Sequence, residues 1–436
     1  MVLIPTPIEA GKSNAKDTAP AVFVLKAYRW SFALIVTLFF LWAIANNFND
    51  ILIRQFQKSL GLTRAEAGFI QFVFYIGYFV VALPAGLLTR RLGYRAGVLV
   101  GLGLYAAGAL LFYPASIELS YPMFLVALFV IASGAACLET TANAYIGAFG
   151  SSSTAVQRLN LAQAFNGLGA FLAPIVGGLL IFSGVEHSPA DLARMTATKL
   201  AIYRASEATT VQLPYFLLAV AAIVVAGAVA WARLPDLRVA NSAPLGPQVA
   251  RLLRHRGLRG AVVAQFFYVG AQVGIWSFFI DFVKDVRPEV SERNAAYILS
   301  ASLLLFTVGR FTGTALMSRI RPSLLLGGYA LTNVVLCGIA ASGAGWPAVA
   351  ALTTTSFFMS IMFPTIFALG VEDLGDARPL GSSFIIMAII GGAVFPPLMG
   401  LIAGQGNGVP SALVLPLGCF VLVARYAYTL RRAGSR

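Results

Sequence analysis

Apolar stretches of about 20 residues recur along this chain from one end to the other, and that recurrence limits its fold more than any other feature. Twenty residues of α-helix rise about 30 Å, the thickness of a bilayer's hydrocarbon core. In that medium each backbone N–H and C=O needs a partner within its own segment, which leaves a bundle of helices. Hydropathy places about twelve spans, at roughly 30–53, 67–89, 94–115, 121–147, 156–183, 213–233, 258–283, 294–318, 323–342, 346–371, 379–405 and 410–430. Composition agrees: 58% of residues are hydrophobic and 11% charged, where a soluble chain carries about a quarter charged. An all-α membrane protein with 12 transmembrane helices is expected, set in a lipid bilayer.

The formal net charge is +14, but the cations sit in short loops between apolar runs. That distribution is a topology signal and points away from nucleic acid. With both termini cytoplasmic, the inner segments hold 21 of the 31 lysines and arginines and the outer loops 9, with Arg310 inside a span. The polar first 29 residues carry Lys12, Lys16, Lys26 and Arg29, and the apolar run after them is longer than a signal-peptide core and lacks a small-residue cleavage site. It reads as a retained first span.

The longest inner loop contains RLPDLRVANSAPLGPQVARLLRHRGLR, whose Pro, Gly and basic content reads as a linker. The expected organisation is a tail at 1–29, a six-helix bundle at 30–233, a linker at 234–257, a second six-helix bundle at 258–431 and a tail at 432–436. The outer loop at 184–212 is longer but of mixed charge. YIGYFVVALPAGLLTRRLGYRAG (75–97) and TVGRFTGTALMSRIRPSLLLGG (307–328) form a weak internal repeat, each at the second span of its half. Such duplication builds the two bundles of many secondary transporters.

Enzyme-like signals fail on inspection. GKS at 11–13 lacks the upstream glycine of a phosphate-binding loop, where Thr6 stands. GLGLYAAG (101–108) sits mid-span, where glycines serve helix packing. Cys137, Cys337 and Cys419 lie within apolar segments without CxxC spacing, so neither a disulfide framework nor a metal site is indicated. His187 and His255 fall in expected loops, so a proton path through the membrane would run through carboxylates. No nucleotide fold, and no cofactor, is indicated. A secondary transporter driven by an ion gradient is expected, not an enzyme.

Of 17 acidic residues, nearly all fall in loops or at span ends; Asp50 and Glu139 are the exceptions. An ionised carboxylate mid-span costs about 2.5–3.5 kcal/mol on insertion scales, so it faces a cavity or a partner. Protonation removes most of that cost, which suits such a group to bind and release protons. Asn46, Asn49 and Asp50 lie at i, i+3 and i+4 and share one helical face beside Asn47. CLETTANAYI places Glu139 and Asn143 four residues apart, next to Thr140 and Thr141, and RLNLAQAFNGLG repeats Asn160, Gln163 and Asn166 every third residue. Amides pair donors with acceptors and suit the hydroxyls of a sugar; the same amides can also hold helices together. In FFYVGAQVGIWSFF, Tyr268, Gln272 and Trp276 fall at i, i+4 and i+8. Aromatic faces flanking an amide suit the C–H face of a pyranose, and equally a packed stripe. Arg310 in LLFTVGRFTG is a further intramembrane charge, a salt-bridge element or a gate, whose partner the sequence does not name.

Six plus six spans about a basic loop resemble the major facilitator superfamily. Its G-x-x-x-D-R-x-G-R signature after span two is only partly met by GLLTRRLGYR (86–95), where Arg90 stands in place of the aspartate. FFLWAIANNFNDIL, GFIQFVFYIGYFVVALPAGLL, CLETTAN, RLNLAQAFNGLGA, YVGAQVGIWSF, GRFTGT and GSSFIIMAIIGGAVFPPLMG, spread from about residue 30 to 430, closely resemble the fucose–galactose–glucose:proton symporter family. The resemblance implies the major facilitator fold and proton-coupled sugar import by alternating access, in a bacterial inner membrane and as a monomer. It implies that Asp50 and Glu139 are the protonation and coupling residues, with the choice between them open. It assigns Gln163, Asn166, Asn47 and Asn46 to the sugar cavity. Two departures bear on the sugar. SIMFPTIF carries Phe363 where fucose-transporting members have tyrosine, and ETTANA has Ala144 in place of proline. Gln272 with Trp276 in turn looks fucose-like. A hexose or deoxyhexose is implied, L-fucose ahead of glucose, galactose and N-acetylglucosamine. A passive channel would show pore-lining repeats in several subunits and a sensor an added soluble domain; a uniporter would not need buried carboxylates.

Overall fold

The protein is described from a computed structural model, which covers residues 22–62, 64–180, 191, 194–232, 234–235, 245–404 and 408–433. The first half begins with α1 (Arg29–Leu60), which stops at Gly61 in the left-handed region at φ 65°. The 54-residue segment α2 (Arg64–Ile117) holds two spans, because its backbone breaks at Gly93 with φ 84° and ψ 169°. A side chain at Gly93 would meet nothing within 4 Å, so the backbone angle, not space, calls for glycine there. α3 (Tyr121–Tyr145), α4 (Ala155–Leu180), the short α5 (Ala197–Thr209) and α6 (Gln212–Trp231) complete this half. The outer loop expected at 184–212 thus contains a helix, capped by the Thr196 hydroxyl, which accepts from the Lys199 N–H.

Part of the expected linker, 236–244, lies outside the described residues. Its end forms the amphipathic α7 (Leu245–Arg254). The second half follows with α8 (Arg256–Ser277), α9 (Phe279–Val286), α10 (Glu292–Leu316), α11 (Pro322–Ala341), α12 (Gly345–Met359), α13 (Met362–Val371), α14 (Arg378–Met387), α15 (Gly391–Ile402), α16 (Gly408–Ala412) and α17 (Val414–Ala433). Hydropathy reads 258–283, 346–371 and 379–405 as continuous spans. Each is broken once, at Phe278, at 360–361 and at a 3₁₀ turn over Ala388–Ile390. Such breaks keep their backbone groups satisfied only inside protein. Among the described residues, counting α2 as two spans and α8–α9, α12–α13, α14–α15 and α16–α17 as one each, with the short α5 and α7 left aside, gives twelve spans, six per half.

Within the first half α2 packs on α3 and α6, and α1 on α4; within the second, α8 packs on α13, α15 and α17, and α11 on α12 and α17. The mid-span glycines allow this. A Cβ on Gly108 would lie 2.5 Å from Ile131 N, and one on Gly134 the same distance from Tyr105 N. Only a bare Cα lets these backbones approach so closely. Outward faces remain apolar, with Ile223 and Val224 on α6 and Leu331 and Val335 on α11 exposed, as lipid-facing helices require. The three cysteines are buried and free.

The halves meet along α2 and α3 against α14, and along α4 against α10 and α13. Gly86 lies against Ser383 and Pro379, and Gly147 near Arg378. Gln157 donates to Thr314 O at 3.1 Å and Asn160 to Thr365 Oγ1 at 3.2 Å. These contacts cluster at the end of the bundle that holds Gly93 and the 371–378 turn. At that same end Arg158, fully buried, donates to the carbonyls of Phe23, Ile146, Gly147 and Ser151 and to Thr154 Oγ1. It ties residues 22–25 to the turn between α3 and α4, where Leu25 N–H also donates to Phe149 O.

Candidate functional site

The first half supplies a stripe of amides and one buried acid. Glu139, near the C-terminal end of α3, is 7% exposed and faces Tyr78 and Asn143, with Arg310 at longer range. Tyr78 accepts at its hydroxyl from Asn46 Nδ2, 3.1 Å away, which joins α1 to α2. Asn143 Oδ1 accepts from Gln163 Nε2 at 3.2 Å, which joins α3 to α4. Asn166 Nδ2 donates to Phe39 O at 3.1 Å. One hydrogen-bonded belt therefore crosses α1, α2, α3 and α4.

One atom of this belt is unfilled: Asn46 Oδ1 is buried and completes no hydrogen bond with any described residue, while Asn143 turns its amide toward the Glu139 carboxylate. A buried polar atom left so costs about 1–3 kcal/mol, and such an atom in a native protein calls for a partner such as water, an ion or a ligand. A free acceptor beside a carboxylate and further amides suits a ligand rich in hydroxyls.

The second half contributes Arg310, whose partners were beyond sequence reasoning. Its Nη1 donates to the backbone carbonyl and, at 3.4 Å, the side-chain oxygen of Gln163, and at 3.2 Å to Asn166 Oδ1. Its Nε donates to Ser360 O at 3.2 Å, and the guanidinium lies 4.5 Å from the centre of the Phe306 ring. The cation is thus shared between the halves and satisfied by amide oxygens and an aromatic face. Trp276 meets Phe306 edge-on at 5.0 Å. A continuous chain of contacts runs from Trp276 through Phe306 and Arg310 to Gln163 and Asn166.

The structure thus brings together Asn46, Glu139, Asn143, Gln163, Asn166, Trp276 and Arg310. Other expected residues sit differently. Asn47 Nδ2 folds back onto Ala43 O at 2.7 Å, its own helix. Tyr268 is fully buried and donates to Met359 O at 3.0 Å, so in this conformation its ring packs inside the second half. Phe363 is buried on α13, and Gln272 is half-buried on α8. Asn49 and Asp50 lie outside the residues whose side chains are described. The acids hold one surprise: Glu207 of α5 is buried and bonded by Gln55 Nε2 at 2.8 Å, although the sequence places it in a loop. Sequence reasoning missed Tyr78, Ser302, Ser356 and Thr365. A tyrosine one turn from Tyr75 in a glycine-rich span was the only available hint, and hydroxyls in apolar helices give no signal of their own.

Known proteins align with this chain along most of its length. The sequence profile of the Major Facilitator Superfamily matches residues 30–396. The L-fucose-proton symporter of Escherichia coli is 43% identical over 408 residues, 92% of this chain and 93% of that protein. A glucose/galactose transporter of Brucella abortus is 35% identical over 402 residues, 92% of this chain and 94% of its own length. A solved Major Facilitator Superfamily transporter, FucP, in the outward conformation superposes with a TM-score of 0.87 at 43% identity, covering 93% of this chain and 99% of that one.

Proposed function

This chain belongs to the Major Facilitator Superfamily, and we propose that it imports L-fucose together with a proton across the bacterial inner membrane, with both termini in the cytoplasm. The observation that carries the reading is the belt at the seam of the halves, where a buried carboxylate, four amides and an arginine converge around Asn46 Oδ1, an acceptor unfilled among the described residues. A sugar hydroxyl can donate to Asn46 Oδ1, while Trp276 and Phe306 offer an apolar face to the ring. Gln163 and Asn166 each retain a second N–H for the same ligand. The names of its relatives support sugar and proton as the cargo.

In this reading Asp50 and Glu139 take up protons from outside. Neutral carboxyls remove the cost of moving charge through the closed seam, so the loaded halves can rock. The halves are joined at the end that the charge distribution assigns to the cytoplasm, which supports an outward-facing state. Inward opening then requires Gly86 to leave Ser383, and Asn160 to leave Thr365. Residues 30–233 and 258–431 form the rocking units, joined by 234–257, and the driving force is the proton gradient with no bound cofactor.

Glucose or galactose is the second reading, favoured by Phe363. Uptake of labelled L-fucose into vesicles with an imposed pH gradient tests both, in competition with D-glucose, D-galactose and N-acetylglucosamine. L-fucose uptake should rise as the outside is acidified and resist the competitors. Uptake indifferent to the gradient would remove symport, and stronger inhibition by D-glucose than by unlabelled L-fucose would transfer the assignment to the second reading.

A further inference from the structure

The aromatic wall that faces the amide belt is held by a network of its own. Trp276 Nε1 donates to Ser356 Oγ at 3.0 Å. Ser302 Oγ lies 2.6 Å from Ser356 Oγ and 3.0 Å from Thr353 O. Ser356 Oγ thus accepts from the indole and from Ser302, and the single proton of the Ser302 hydroxyl is shared between Ser356 Oγ and the Thr353 carbonyl. Both serines are fully buried. The relay therefore joins α8, α10 and α12 inside protein, and the edge-on contact with Phe306 fixes the ring from another side. Indole has a single polar atom, and here it is committed to the protein interior.

We propose that Ser302 and Ser356 are positioning residues that withdraw the Trp276 N–H from the transport path, so that the ring presents a wall without donors and selects a 6-deoxy sugar over its 6-hydroxy counterpart. This rests on the reading of Trp276 as a sugar-facing residue. A methyl group packed on such a wall gains from leaving water. A hydroxymethyl group placed there gives up hydrogen bonds to water and receives none in return. The relay thus makes selectivity depend on two serines that do not touch the sugar.

L-Fucose and L-galactose differ only by the hydroxyl on C6, which makes them the test pair. KM and maximal rate for both sugars are measured in proteoliposomes for the wild type, Ser356→Ala, Ser356→Thr, Ser302→Ala and Trp276→Phe. The wild type should prefer L-fucose. Ser356→Ala frees the indole N–H and should narrow that preference by about fivefold, the effect of one hydrogen bond, through KM more than through maximal rate. Ser302→Ala should shift the preference in the same direction, and Ser356→Thr, which keeps a hydroxyl, should restore it. Equal losses for both sugars in the two alanine variants, or an unchanged ratio, overturn the proposal and leave the serines as packing alone. Trp276→Phe separates the two levels. If it alters KM for neither sugar, the wall itself is misassigned. If it weakens both while the serine variants keep the wild-type ratio, only the positioning role falls.

Discussion

Gly86→Ala probes the seam where the two halves close. A methyl group at this position would lie 1.9 Å from Ser383 Oγ and 2.7 Å from Pro379 O. The serine hydroxyl can rotate away at the loss of its own bond to Pro379 O, but the backbone oxygen cannot. A relaxed carbon–oxygen contact is about 3.3 Å, so α2 and α14 must part by about 0.6 Å at a seam that also carries the Asn160–Thr365 bond. Overpacking of this kind costs about 1–3 kcal/mol, equivalent to about 5- to 150-fold in the population of the closed arrangement. The assay is alkylation of a cysteine placed at Thr365, which is fully buried, while Cys137, Cys337 and Cys419 are buried and give a low background. Gly86→Ala should raise the alkylation rate and lower sugar binding from the outer side. Adding Ser383→Ala should recover only part of the loss, because the clash with Pro379 O persists. Wild-type alkylation together with wild-type binding would refute the argument that this contact holds the end shut.

Glu139→Gln keeps the shape of the belt but cannot carry a proton, so sugar counterflow should persist while accumulation against a gradient is lost. The uptake of the variant should also stay flat as the outside is acidified, where that of the wild type rises; a variant that still accumulates sugar would take Glu139 out of the coupling. Arg158→Met removes the donor shared by four carbonyls and Thr154, and each carbonyl left dry costs about 1–3 kcal/mol. Melting of the purified protein should fall by several degrees, with Arg158→Lys in between because it lacks the planar fork; an unchanged melting temperature would mean that water replaces the guanidinium.

Much of the fold is legible in the sequence because a bilayer leaves a chain few choices. Span length, apolar content and the basic loops locate twelve spans, most ends to within a few residues, although α1 runs on to Leu60, past the end expected at 53. Hydropathy could not find the breaks at Phe278 and 360–361, since a broken helix inside protein is as apolar as a straight one. Nor could it find α5 or the burial of Glu207, whose neighbours are polar and whose partner Gln55 is 152 residues away. At the site, helical spacing picked out Asn46, Glu139, Asn143, Gln163 and Asn166, because costly polar groups at i, i+3 and i+4 must share a face. The same rule could not separate Asn47, which bonds its own helix, from Asn46, which reaches Tyr78. Tyr268 and Trp276 fall on one stripe, yet one is sealed against Met359 and the other packs on Phe306, the ring beneath Arg310.

The sequence by itself determined that this chain spans a membrane as two sets of helices and that a few buried polar residues must have a purpose, because hydrocarbon makes each such residue expensive wherever the helices lie. Only the tertiary structure decided how those residues are spent. Arg310 finds oxygens on the opposite half, Asn46 keeps one atom unfilled among the described residues, and Trp276 turns its only donor inward to Ser356. These outcomes depend on which faces of distant helices meet, and at what angle and depth, and that information is absent from the periodicity of any one segment.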